Sequence, residues 1–92
     1  MHMLVKFFAT YREITDCKKC DIAAPENVLG LLQELSRRWP AFRPLVLNDA
    51  GTGKGEDVIV LVNGRHIDHL QDVATPLSED DYVAVTPLVA GG

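Results

Sequence analysis

No Lys or Arg follows Arg65, so the final 27 of the 92 residues carry acidic side chains only: Asp68, Asp72, Glu79, Asp80 and Asp81. The formal charge of the whole chain is −4. That balance argues against nucleic acid as a partner, which attracts basic faces. It favours a basic protein surface instead, although a solvated acidic turn accounts for Glu79-Asp80-Asp81 alone. No apolar run approaches the length of a bilayer span, so no membrane segment is expected. The start, Met1-His2-Met3-Leu4, has no basic stretch followed by an apolar one, and no secretory signal is read there. Cysteine is scarce, at two residues, which suggests a reducing, cytoplasmic home. Length is short as well. A chain of this size forms one domain with a modest core and leaves little room for a deep enzyme pocket, which tilts the reading towards a carrier or binding module.

What is present is a clear alternation of elements. Met3 to Ala9 reads as a strand with Met3, Val5, Phe7 and Ala9 on one face and Leu4, Lys6 and Phe8 on the other. Thr10 to Asp16 breaks the pattern as a turn, and Cys17 to Ala23 returns as an antiparallel strand. Pro25 opens a helix whose Val28, Leu31, Leu32, Leu35 and Trp39 form one stripe, ending at Pro40. Residues 41–47 add a further helical turn, and 48–55 read as a flexible loop. Val58 to Val62 is a β-branched run typical of a central strand, Asn63-Gly64 a hairpin turn, and Arg65 to Ile67 a short return strand. Tyr82 to Thr86 is the last strand, stopped by Pro87. The order predicts an α+β domain over residues 1–87, one sheet packed on one main helix, with residues 88–92 as a tail.

Two lesser motifs point elsewhere. Cys17-Lys18-Lys19-Cys20 is a CxxC, and with His66 and His69 it supplies four nominal zinc ligands. The histidine spacing is short, and no second CxxC exists. A redox CxxC would want a helix N-terminus, where a hairpin is expected here. The expectation is therefore neither a metal nor a redox role but two ordinary thiols. Gly51-Thr52-Gly53-Lys54-Gly55 hints at a phosphate loop but lacks the first glycine, the Ser/Thr and the strand–loop–helix frame. His2 and His69 read as surface residues.

The Gly91-Gly92 end carries the strongest chemical signal. Chance puts two glycines there in roughly 0.5% of chains at average usage. Glycine has no Cβ, so such an end threads a narrow channel and presents a bare α-carboxylate. Five extended residues from Leu88 reach roughly 17 Å, enough to enter another protein's active site. A carboxylate is inert until one oxygen becomes a leaving group, and nothing in this chain binds ATP, so activation comes from a partner.

At this point the chain resembles a known family. Pro87-Leu88-Val89-Ala90-Gly91-Gly92, with Leu77-Ser78-Glu79-Asp80-Asp81-Tyr82-Val83 before it, looks like the close of the MoaD/ThiS sulfur carriers. Val5-Lys6-Phe7-Phe8-Ala9-Thr10-Tyr11-Arg12-Glu13 resembles the opening strand and turn of the molybdopterin synthase small subunit, and Val58-Ile59-Val60-Leu61-Val62-Asn63-Gly64-Arg65 is similar to its middle. The resemblance implies a β-grasp, ubiquitin-like fold: a mixed sheet on one main helix, with a flexible C-terminal Gly-Gly tail. It implies that Gly92 is adenylated by an E1-like adenylyltransferase of the MoeB/ThiF type, which uses the ATP, and that a sulfur donor protein then makes it a thiocarboxylate. It implies no cofactor bound to the chain itself. The sulfur would go to a large subunit of the MoaE type to build molybdopterin for molybdenum cofactor, the chain being non-catalytic alone. Leu88, Val89, Ala90 and Gly91 would be the inserted tail. Phe8, Arg12, His66 and Thr86 match the partner-facing surface, although molybdopterin-type carriers often have an aromatic at Thr86 and an apolar residue at His66.

The resemblance leaves other destinations for the same activated glycine. One is a thiocarboxylate carrier for thiamin or cysteine synthesis. Another is a protein modifier joined through Gly92 to a lysine amine, and a third is an interaction domain whose Gly-Gly is accidental.

Overall fold

The computed structural model describes residues 2–88. Strand β1 (His2–Phe7) runs into helix α1 (Ala9–Thr15), and β2 (Lys19–Ala23) returns beside β1. Helix α2 (Val28–Arg38) follows, then a 3-10 turn at Pro40–Phe42 and the one-turn helix α3 (Arg43–Val46). Strands β3 (Val58–Val62) and β4 (Arg65–His66) form a hairpin, two 3-10 turns cover Ile67–His69 and Asp72–Ala74, and β5 (Tyr82–Pro87) closes the fold. The sheet order is β2-β1-β5-β3-β4, with β1 and β5 parallel at its centre and the other pairs antiparallel. This is the mixed sheet of a β-grasp.

One face of the sheet makes the core. Met3, Val5 and Phe7 of β1, Cys20 and Ile22 of β2, the three valines of β3, and Val83 and Val85 of β5 are all buried. Against them lie Val28, Leu31, Leu32 and Leu35 of α2, each fully buried, as the 3.6-residue stripe requires. An aromatic cluster closes one end: Phe7 stacks on Phe42 at 5.6 Å, and Trp39 and Tyr11 meet Phe42 edge-on at 6.0 and 5.4 Å.

Several boundaries differ from the sequence expectation, each for a local reason. The helix starts at Val28 and not at Pro25, because the Asn27 side chain accepts a bond from the Gly30 N–H at 2.9 Å and caps it. The expected turn over Thr10–Asp16 is the helix α1, stopped by Asp16 in the left-handed conformation (φ 56°). Residues 48–55 are not an open linker. The Asn48 N–H donates to Gly53 O, the Arg43 guanidinium donates to the carbonyls of Asn48 and Asp49, and Leu47 bridges Lys54. Gly55 is required there, since a Cβ would strike the Leu45 carbonyl oxygen. Asn63 and Gly64, at φ 53° and 85°, make the tight hairpin turn.

Candidate functional site

Strand β5 brings the chain end to one rim of the sheet. Its pairing with β3 continues through Val58↔Pro87, and the Leu88 N–H donates to Asp57 O at 2.6 Å. Leu88 itself is 59% exposed, so the chain reaches the surface here. The expected tail residues Val89, Ala90, Gly91 and Gly92 lie outside the described residues.

The sheet face turned away from the helix surrounds this exit. Strand alternation and register place Lys19, Lys6, Ala84, Leu61 and His66 in a single row across all five strands. A second row holds Asp21, Leu4 and Tyr82, and Ile59 pairs with Thr86 nearer the exit. Leu4 is 46% exposed and Tyr82 38%, while Ile59, Leu61 and Thr86 are half-buried. An apolar centre with a polar, charged margin is the composition of a protein-binding surface.

Of the four partner-facing residues expected from the sequence, Phe8 and Thr86 come together. The Phe8 N–H donates to Val85 O at 3.3 Å, which sets Phe8 beside Thr86 near the exit. Phe8 is half-buried, and the Lys6 ammonium sits 4.8 Å from its ring centroid. The next residue, Ala9, has φ 53°, a conformation that costs a non-glycine residue about 1–2 kcal/mol. That kink turns the chain out of β1 and into α1.

Arg12 and His66 lie towards opposite sides of the sheet. Arg12 is half-buried on α1, and its Nε is buried without a hydrogen-bond partner among the described residues. His66 is on edge strand β4, where its Nδ1 accepts from the Asp68 N–H at 3.1 Å. Asp68 is held below the ordinary carboxylate value by its hydrogen bond to Lys54, 3.1 Å away, with that charge and His66 and His69 adding to the effect. Tyr11 is raised above its ordinary value, first by burial and then by the charge of Asp57.

The four nominal zinc ligands do not meet. Cys20 belongs to edge strand β2 and His66 to edge strand β4, with three strands between them. Nor are the cysteines two ordinary thiols: Cys17 and Cys20, with Cα atoms 6.5 Å apart, form a disulfide. The turn between α1 and β2 brings them within bridging range. Sequence reading also missed Tyr82 and Leu4 as surface anchors. The period-2 alternation of β1 and β5 carried that signal, because Leu4 lies between the core residues Met3 and Val5, and Tyr82 directly precedes the core residue Val83.

Comparison with known proteins agrees with this architecture. The ThiS family model matches residues 5–92. Small archaeal modifier protein 3 of Haloferax volcanii is 35% identical over 94 residues, covering 100% of both chains. The solution structure of small archaeal modifier protein 1 from Methanosarcina acetivorans superposes with a TM-score of 0.85 at 27% identity, covering 99% of this chain and 96% of that one. A putative molybdopterin converting factor, subunit 1, from Pyrococcus furiosus gives 0.77 at 29% identity, over 97% and 99% of the two chains. No helix among the described residues is long and apolar enough to cross a membrane. A mixed β-grasp sheet, the match across residues 5–92 and the whole-length similarity to a small modifier establish that the chain belongs to the ThiS family of ubiquitin-like sulfur carriers and modifiers.

Proposed function

We propose that this chain is a sulfur carrier whose Gly92 carboxylate is adenylated by an E1-like enzyme and converted to a thiocarboxylate that supplies molybdopterin synthesis. The observation that carries the reading is the exit of β5 at Leu88, on the rim next to Phe8 and Thr86. An enzyme that docks on the uncovered face would lie beside the place where residues 89–92 begin. Four further residues reach roughly 13 Å when extended, so a docked partner can take the terminal carboxylate into its own site.

The chemistry assigns little to the chain beyond delivery. A Gly92 oxygen attacks the α-phosphorus of ATP held by the partner, and pyrophosphate leaves. The acyl-adenylate carbonyl is then attacked by hydrosulfide supplied through the sulfur donor protein, AMP leaves with the bridging oxygen, and a thiocarboxylate remains. Leu4, Tyr82, Phe8 and Thr86 would hold the partner, Arg12 and His66 would border the contact, and Leu88 to Gly91 would occupy its channel. The partners read from sequence, an adenylyltransferase of the MoeB/ThiF type, a sulfur donor protein and a large subunit of the MoaE type, fit this scheme. Similarity to a molybdopterin converting factor subunit supports the molybdopterin destination.

A second reading rests on the 35% identity to a protein named as a modifier. There the same acyl-adenylate is attacked by a lysine amine, and an isopeptide bond forms in place of the thiocarboxylate. Intact mass spectrometry of the chain purified from its own cell separates the two. Exchange of one oxygen for sulfur at Gly92 supports the carrier, and covalent adducts of the whole chain on other proteins support the modifier. Neither species appearing, with Gly92 deletion leaving molybdenum-cofactor synthesis intact, would overturn both.

A further inference from the structure

We propose that Cys17–Cys20 is a thiol–disulfide exchange centre for an anionic low-molecular-weight thiol, with Cys17 the sulfur attacked and Cys20 the resolving sulfur. The first ground is asymmetry. Cys20 points into the core beside Val5 and is 7% exposed, whereas Cys17 is only half-buried in the turn that follows α1. A nucleophile from solvent therefore reaches one sulfur and not the other.

The second ground is that the fold does not need the bridge. A ring closed over so few residues removes little entropy from the unfolded chain. Five β1–β2 register pairs, from His2↔Ala23 to Lys6↔Lys19, already fix the returning strand. The Phe7 N–H donates to Lys18 O at 2.9 Å, and the Thr15 hydroxyl donates to Cys17 O at 2.9 Å, so the turn is held without sulfur.

The third ground is the surrounding charge. Cys17 lines an open pocket of about 330 Å³ together with Arg12, Glu13, Asp16 and Lys18. Lys18 and Lys19 are exposed between the two cysteines, and Arg12 brings a buried Nε with no partner among the described residues. Glu13 and Asp16 make the wall mixed, which leaves the Arg12 and Lys18 side for a ligand carboxylate.

The exchange balances without any further reagent. A thiolate RS⁻ attacks Cys17 Sγ, the S–S bond breaks, and its electron pair leaves on Cys20 Sγ, which takes up a proton. The products are the mixed disulfide R–S–S–Cys17 and the Cys20 thiol. Return attack by the Cys20 thiolate expels RS⁻ and restores the bridge. Attack of a second RS⁻ on the mixed disulfide instead releases RSSR and leaves a dithiol, two thiols having been oxidised as the bridge is reduced.

The test uses the folded full-length chain in glutathione buffers, quenched with acid and read by intact mass. The wild-type bridge is expected to open without denaturant, and Cys20→Ala treated with oxidised glutathione should gain one glutathione at Cys17. Cys17→Ala should react at least about tenfold more slowly at Cys20. Lys18→Gln should slow the anionic glutathione reaction while leaving that with cystamine, a cationic disulfide, no slower. Circular dichroism of each variant confirms folding. A bridge that opens only in denaturant, equal rates at the two sulfurs, or Lys18→Gln slowing both reagents alike would overturn the proposal. None of these readouts involves Gly92, so they stand apart from the carrier reading.

Discussion

The two faces of one sheet carry opposite chemistry. Towards α2, β1 presents Met3, Val5 and Phe7, none more than 1% exposed. Away from it, the same strand presents Leu4 at 46% exposure and Lys6, with Phe8 just beyond its end. Strand β5 repeats the contrast, with Val83 and Val85 fully buried and Tyr82 38% exposed. Adjacent side chains thus fall in the core or on the uncovered face according to parity. On the proposed function, stability and partner binding are therefore expected to separate by mutation, residue by residue.

The largest effect that would break this separation is at the chain end. Deleting Gly92 is expected to abolish adenylate formation with the activating enzyme while leaving the thermal melt unchanged; a clear loss of stability would place the end in the fold. On the covered face, Phe7→Ala should cost about 3–5 kcal/mol in denaturant unfolding, because it empties the centre of the Phe42–Trp39 cluster. Its counterpart Tyr82→Ala should cost under about 0.5 kcal/mol in the same assay. It should nonetheless weaken binding to the activating enzyme by about 1 kcal/mol or more, as expected of an exposed aromatic anchor. Equal stability losses from the two would erase the distinction between the faces.

Smaller changes sharpen it. Asn27→Ala removes the α2 cap and should cost about 1 kcal/mol of stability with no change in partner affinity. Ala9→Gly should raise stability by roughly 0.5–1 kcal/mol, since glycine accepts the φ of 53° without strain. The smallest effect is alkaline. Tyr11 titrates above its ordinary value of 10.0 in the folded chain, because burial and Asp57 disfavour the phenolate. The unfolded chain therefore releases its proton first as pH rises past 10.0, and the folded state keeps it. Stability present below that pH is lost as pH climbs towards the folded value. Tyr11→Phe should flatten this alkaline decline in a pH series of melts.

Much of the architecture was legible because periodicity is a local property. The stripe of Val28, Leu31, Leu32 and Leu35, the run Val58–Val62 and the Asn63-Gly64 turn each announce their element from neighbouring residues alone. What escaped were features decided by distant partners. Helix α1 is short and holds its place through Tyr11 packed on Phe42, which the pattern over 10–16 does not encode. Loop 48–55 looked open by composition, yet Arg43 reaches across to close it. Of the candidate site, the Gly91-Gly92 signal and the sidedness of Phe8 came from the sequence, while the surface built with it from Leu4, Ile59, Leu61 and Tyr82 needed the register.

The sequence by itself determined the strands, helix α2 with its buried stripe, and the family of the chain, because these rest on short-range spacing and on motifs read in order. Beyond the sequential pairs β1–β2 and β3–β4, tertiary structure alone decided which strands are neighbours. That choice made β1 and β5 a parallel central pair, set Phe8 beside Thr86 at the chain exit, and put His66 and the cysteines on opposite edges. The fold also closed Cys17 onto Cys20. For the first three the physical reason is the same: hydrogen-bonded strand pairing joins residues far apart in the chain, and no local pattern names the partner. The disulfide is local, and the turn after α1 sets it.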